Sequence, residues 1–272
     1  MKAPFSPPLF RFLWRRHRAT VFAVSAVPIL IGLVAGFVYD ETAGQRDLLR
    51  KLFDAFPKFK RATDSETLDF LSPAGFFNTA FRHPLTFLAF ALGAGIPAVT
   101  TPAVDRGRGS LDLLLSAPLS RGALVRSVAA VVFVAALPLG FAPFLGALTG
   151  ALIAGRLDEL PIANFALAAV NAAAFVAALG GVALRLSVGS RDGAVATARF
   201  AAFFIAAMLA DAFSMFSAGG SVLRRLTPGG YYRASEIVAG KGSPALSLSV
   251  LIGIAILATW SAVRAAERRT RA

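Results

Sequence analysis

"ALVRSVAAVVFVAALPLGFAPFLGALTGALIA", Ala123–Ala154, carries one charged side chain, Arg126. A helix needs roughly 20 apolar residues to cross a hydrocarbon core. This run exceeds that length and has room to tilt, or to bend at Pro138 and Pro143. Five further runs of the same kind flank it. They are Ala19–Tyr39, Pro84–Val104 (entered earlier by a helix from Pro73), Pro161–Leu186, Ala194–Ala218 and Pro244–Val263. A cleavable signal peptide fits the first run poorly, because its apolar core is too long and no A-x-A site follows.

Composition agrees. The chain has 272 residues, 56% of them hydrophobic and 16% charged, against about 25% charged in an ordinary soluble domain. The net charge of +13 would suggest nucleic acid in a soluble protein, but here the basic residues flank apolar runs, and membrane topology explains them. No nucleic acid is expected. There is no cysteine, and the only histidines are His17 and His83, so disulfides, thiolate chemistry and a histidine metal cluster are not expected. "GKGS" at Gly240–Ser243 lacks the spacing of a phosphate-cradling loop, so no cofactor is expected on this chain and no ATP hydrolysis by it.

Six spans put both termini on one side. That side carries the arginines of the N-terminal tail, of 105–126, of the connection between the fourth and fifth runs, and of the C-terminal tail. On the other side, the seven basic residues between Asp40 and Arg82 are balanced by seven acids. The positive-inside rule then places both termini in the cytoplasm. The expected fold is an all-α integral membrane protein, a single transmembrane domain over 1–272. Residues 1–18 ("PPLFRFLWRRHR" at their heart) form an interfacial helix, with Leu9, Phe10, Phe12, Leu13 and Trp14 in the acyl boundary and arginines on headgroups. A plain basic flank is the other reading. The external piece 40–83 carries an amphipathic stripe, Leu48, Leu49, Leu52, Phe53 and Phe56, ended by Pro57. Gly155–Leu160 is a tight turn. Region 219–243, with "RRLTPGGYYRASEIVAG", suits short re-entrant helices.

One cytoplasmic stretch stands apart, "DRGRGSLDLLLSAPLSR", Asp105–Arg121. Leu111, Leu114 and Leu115 share one helical face, Pro118 stops the helix, and Leu113 points away from the stripe. So short a helix is marginal alone and must dock on something, either the span ends or a partner's groove. The run resembles the cytoplasmic signature of ABC type-2 exporter permeases: an acid, three residues, G-T-L-E, a Leu-Leu pair, then S-x-P-hydrophobic-S-R. Asp105, Gly109, Ser110, Leu111, Asp112, Leu114, Leu115, Ser116, Pro118, Ser120 and Arg121 stand at matching places, with Asp105, Ser110 and Asp112 replacing glutamate, threonine and glutamate. The six-span layout and "LTPGGYY" are similar to the family too.

The resemblance implies that 105–120 is a coupling helix seated in a separate ATP-binding subunit, with Asp105, Arg108, Leu111, Leu113, Leu114 and Arg121 as the docking set. It implies a unit of two permeases and two ATPases, with ATP and Mg on the partner, in a bacterial cytoplasmic (inner) membrane. A second expectation within the same broad family is a scaffold or maturation factor serving periplasmic metalloenzyme assembly, as for the nitrous-oxide reductase copper site, with a periplasmic partner on 40–83 and 219–243. An intramembrane enzyme would need a constellation that the spans do not offer.

Two polar residues lie within the apolar runs. Asp211 is roughly 25 Å along a helix from Ala194 and has three readings: a pair with Arg224 or Arg225, a contact to cargo, or the outer surface. Asn171, mid-span, fits a bond between helices or a cargo contact.

Overall fold

The structure, a computed structural model, describes residues 5–45, 48, 51, 55, 69, 71–110, 119–216, 222 and 225–268. It is helical throughout these residues. The helices are α1 (Pro7–Ala43), α2 (Pro73–Phe77), α3 (Thr79–Arg82), α4 (Pro84–Val99), α5 (Asp105–Gly107), α6 (Arg121–Ile153), α7 (Ile162–Gly189), α8 (Gly193–Phe216), α9 (Ala234–Val238) and α10 (Pro244–Arg268). A π turn, Thr100–Val104, joins α4 to α5, and 3-10 turns sit at Leu157–Glu159 and Pro228–Tyr231. Among the described residues, six segments are long and apolar enough to cross a membrane: Pro7–Thr42, Pro73–Gly107, Arg121–Ile153, Ile162–Gly189, Gly193–Ser214 and Pro244–Arg268.

α7 is the central helix and packs against α10, α6 and α4. Its alanines and glycines let neighbours close in. A Cβ on Gly140 of α6 would lie 2.3 Å from the backbone nitrogen of Ala173 on α7.

The α1–α6 contact follows the same rule. Gly32 and Gly36 of α1 face Gly146 and Gly150 of α6, two G-x-x-x-G pairs in parallel register. A Cβ on Gly32 would stand 2.1 Å from the carbonyl carbon of Gly146, so only glycine permits this approach.

The N-terminal stretch corrects an expectation. Residues Pro7–Arg18 are not a separate interfacial element but continue without a break into the span. Leu9, Leu13, His17, Val21, Ser25, Pro28 and Gly32 form one buried stripe at a spacing of three to four. Leu9 and Leu13 pack with Leu124, Val125, Val128, Val263 and Ala266 rather than entering an acyl boundary, while Phe12 remains exposed. An amphipathic sequence fits a bundle seam as well as a bilayer surface, and here the seam takes it.

The amphipathic stripe expected around Leu48–Phe56 falls largely outside the described residues. Leu48 itself is helical and exposed. Gly155–Leu160 is the tight turn expected, with Gly155 at φ 64°. Region 219–243 holds, among its described residues, the 3-10 turn and α9. Tyr232, Ala234, Ile237 and Val238 are buried in the main core. The helix anticipated from Pro73 is present as α2 and α3, with Phe76, Phe77, Ala80 and Phe81 buried. α8 is the least enclosed span, with 17% of its apolar window buried. An apolar groove of about 360 Å³ runs between α4 and α8, where Phe200 lies against Gly95.

Candidate functional site

The Asp105–Arg121 run starts from an unusual piece of helix. Pro102 has no N–H to give to Ala98, so the α-helical ladder fails there. The chain widens into the π turn, and the Asp105 N–H reaches back to the Thr100 carbonyl. Gly109, at φ 73°, then turns the chain.

Asp105 is buried, 3% exposed, and accepts both arms of Arg16 at 2.7 and 3.0 Å. A two-pronged guanidinium–carboxylate pair is among the stronger and more directional contacts available. It fastens α1 to the first residue of the run. Arg106 reaches the other way and donates to the Ser190 carbonyl at 2.7 Å, covering the end of α7. Ser187 Oγ donates to the Val99 carbonyl at 3.4 Å. Gly193 opens α8 directly against Val104, where a Cβ would sit 2.4 Å from Val104 Cγ2. Asp192 Oδ1 accepts the Val195 N–H at 2.9 Å, and this bond holds the Asp192 carboxyl below its usual range. The root of the run is thus held by α1, α7 and α8 together.

The far end of the run is built similarly. Ser120 Oγ accepts the Ala123 N–H at 3.0 Å and caps α6. Arg126 of α6 donates to Glu267 of α10 at 3.1 Å, in a place kept open by Gly122. Arg108 and Arg121 are exposed at the two ends of the run. Leu111, Leu113 and Leu114 lie outside the described residues.

Asn171 and Asp211 are brought to one place, the Pro228–Tyr231 turn at the opposite end of the bundle. Asn171 is fully buried. Its Nδ2 donates to the Tyr231 carbonyl at 3.2 Å and to Ser247 Oγ at 3.4 Å, and its Oδ1 accepts the Arg233 N–H at 3.1 Å. That is a clamp from α7 to both the Pro228–Tyr231 turn and α10. Asp211 lies beside Gly229, where a Cβ would be 3.8 Å from its own Cβ and Cγ, and its carbonyl accepts Ser214 Oγ at 2.6 Å. Arg224 lies outside the described residues.

Around them is a set of buried neutral bonds. The Tyr232 hydroxyl donates to the Phe81 carbonyl at 2.9 Å, and its ring stacks on Phe175 with centroids 4.9 Å apart. Asn78 Nδ2 donates to Ser235 Oγ at 2.8 Å. The α2–α3 segment and the 228–238 segment are therefore bolted together. Burial pushes the Tyr232 phenol well above its ordinary value, against a smaller opposing pull from Arg82.

No family model, no curated protein and no solved structure matches the chain.

Sequence reasoning singled out Asp105 and Asn171 but not their bonding partners, since Arg16 is 89 residues from Asp105 and Tyr231 is 60 from Asn171. One signal was present: Asp105 is an acid placed among arginines in a chain with few acids on that side. Tyr232 was visible only as part of "LTPGGYY".

Proposed function

We propose that this chain is the permease subunit of an ATP-driven exporter of the ABC type-2 class. It has no ATP site of its own, works as a pair of copies, and takes two ATPase subunits from the cytoplasm. It resides in a bacterial cytoplasmic membrane with both termini on the cytoplasmic side. The observation that carries the reading is the ordered run from Asp105 to Arg121. The geometry at its root supports it. A force applied to this run passes through Asp105 and Arg16 to α1, through Arg106 to α7, and through the Val104–Gly193 contact to α8. A helix meant only to seal the bundle would not need its root, Val104 to Arg106, fastened to three spans.

The test is purification of the tagged chain from its native membrane. Recovery of an ATP-binding-cassette subunit, whose ATPase activity falls in Leu113→Asp while the spans stay folded, is expected. Unchanged ATPase activity and transport in that variant would overturn the docking assignment. Recovery of a periplasmic protein with the complex would favour the maturation-factor form of the same reading.

A further inference from the structure

A groove of about 480 Å³ lies along the side of α1. One wall is α1 from Val27 to Val38. The other is made by Phe76, Thr79, His83 and Leu85. It exists because α2 and α3 meet α1 as short, kinked pieces while the facing glycines draw α1 back onto α6. Leu30 and Val34 are each 56% exposed and Leu85 is 50% exposed, so the groove opens sideways from the bundle and not into its interior. Both flanking segments belong to helices long and apolar enough to cross a membrane, and in such a membrane the groove opens to lipid.

The groove has two polar side chains, Thr79 and His83, one turn apart on the wall facing α1, and His83 immediately precedes the apolar run from Pro84. His83 Nδ1 accepts the Leu85 N–H at 3.2 Å and caps α4. In the neutral ring the proton then sits on Nε2, which is left to donate outward. Along α1 from Val27 to Val38 the lining is apolar over about 16 Å of helix, roughly half of a hydrocarbon core. One polar donor at the membrane edge and an apolar trough reaching to mid-depth match a lipid of a single leaflet.

We propose that this groove binds one acyl chain of a membrane phospholipid from the leaflet opposite the termini. Its ester or phosphate oxygens accept a hydrogen bond from His83 Nε2, and its tail lies along α1 toward Val27. The proposal needs the helices to span a membrane. It does not need the exporter reading, and its failure would leave that reading untouched.

The test uses the full chain in nanodiscs of phosphatidylethanolamine and phosphatidylglycerol, released into the gas phase for native mass spectrometry. Wild type is expected to retain a single phospholipid. Val34→Trp fills the trough from its exposed side without touching the core, and is expected to lose that lipid. His83→Asn keeps an acceptor for the Leu85 N–H but draws the remaining donor back from the position of Nε2 by about the length of the ring, and is expected to retain it about fivefold more weakly, the worth of one hydrogen bond. Leu257→Trp, on the exposed face of α10, is expected to match wild type. Circular dichroism and thermal midpoints verify the fold of each variant. Should Val34→Trp misfold, His83→Asn carries the test. Equal retention by wild type and a folded groove variant, or no retention by wild type, would overturn the proposal.

Discussion

The two ends of the bundle are held together by different chemistry. At the end carrying the termini, the ties use charged side chains: the ion pairs Arg16 to Asp105 and Arg126 to Glu267, and Arg106 donating to the Ser190 carbonyl at the end of α7. At the other end they are neutral and deeply buried: Asn171 to three partners, Tyr232 to Phe81, and Asn78 to Ser235. Of the ionic ties, the exposed Arg126–Glu267 pair is salt-sensitive and adjusts at small cost, while Asp105 is buried. Buried neutral bonds are costly to leave unmade. The first end is held through charged side chains, and the second through buried neutral ones.

The sharpest break comes from Asn171→Leu. It strands the Arg233 N–H, the Tyr231 carbonyl and Ser247 in a dry site. The expected loss is about 3 kcal/mol, read as a lower thermal midpoint together with faster hydrogen exchange across 228–238. A variant that exchanges no faster there would end the notion that buried neutral bonds hold this end.

Asp105→Asn should cost about 2 kcal/mol, below a fully buried pair because Arg16 is one-third exposed. A double-mutant cycle with Arg16→Gln isolates the pair. Coupling near zero would move the connection between α1 and the run elsewhere.

Tyr232→Phe removes one hydroxyl bond and leaves the stack, at about 1 kcal/mol. It also tests the alkaline limb. A phenol held above its ordinary value of 10.0 binds its proton more tightly folded than unfolded, so its contribution is intact below that value and is lost as pH rises above it. Wild type should lose stability above about pH 10, and Tyr232→Phe should lose less over the same range.

Smallest is Arg126→Ala, whose pair is more than one-third exposed on both sides. Under about 0.5 kcal/mol is expected, vanishing in concentrated salt. Measured in increasing salt, Arg126→Ala should converge on wild type while Asn171→Leu does not.

The six spans were legible because each apolar run is long and interrupted at its ends by charge or proline. Pro84 and Pro244 open helices where the sequence puts them. The G-x-x-x-G spacings at Gly32–Gly36 and Gly146–Gly150 were in plain view, but their facing register is a tertiary fact. The N-terminal stretch misled because Leu9 and Leu13 satisfy two environments equally, and only the position of α6 and α10 decides between them. Asn171 was legible as a polar residue in a span, with its partners hidden in a loop 60 residues on. Pro102 hinted at an irregular helix, yet nothing local says that the irregularity ends on a buried carboxylate.

The π turn at Thr100–Val104 works as a phase shim. One residue more per turn than an α-helix sets the angular position of everything after it, and deleting a residue there would rotate Asp105 by about 100° about the helix axis. The carboxylate would swing off the Arg16 side of the bundle, and Arg106 off the end of α7, with every side chain still present. The aim of the whole run is therefore held in a single odd turn of backbone.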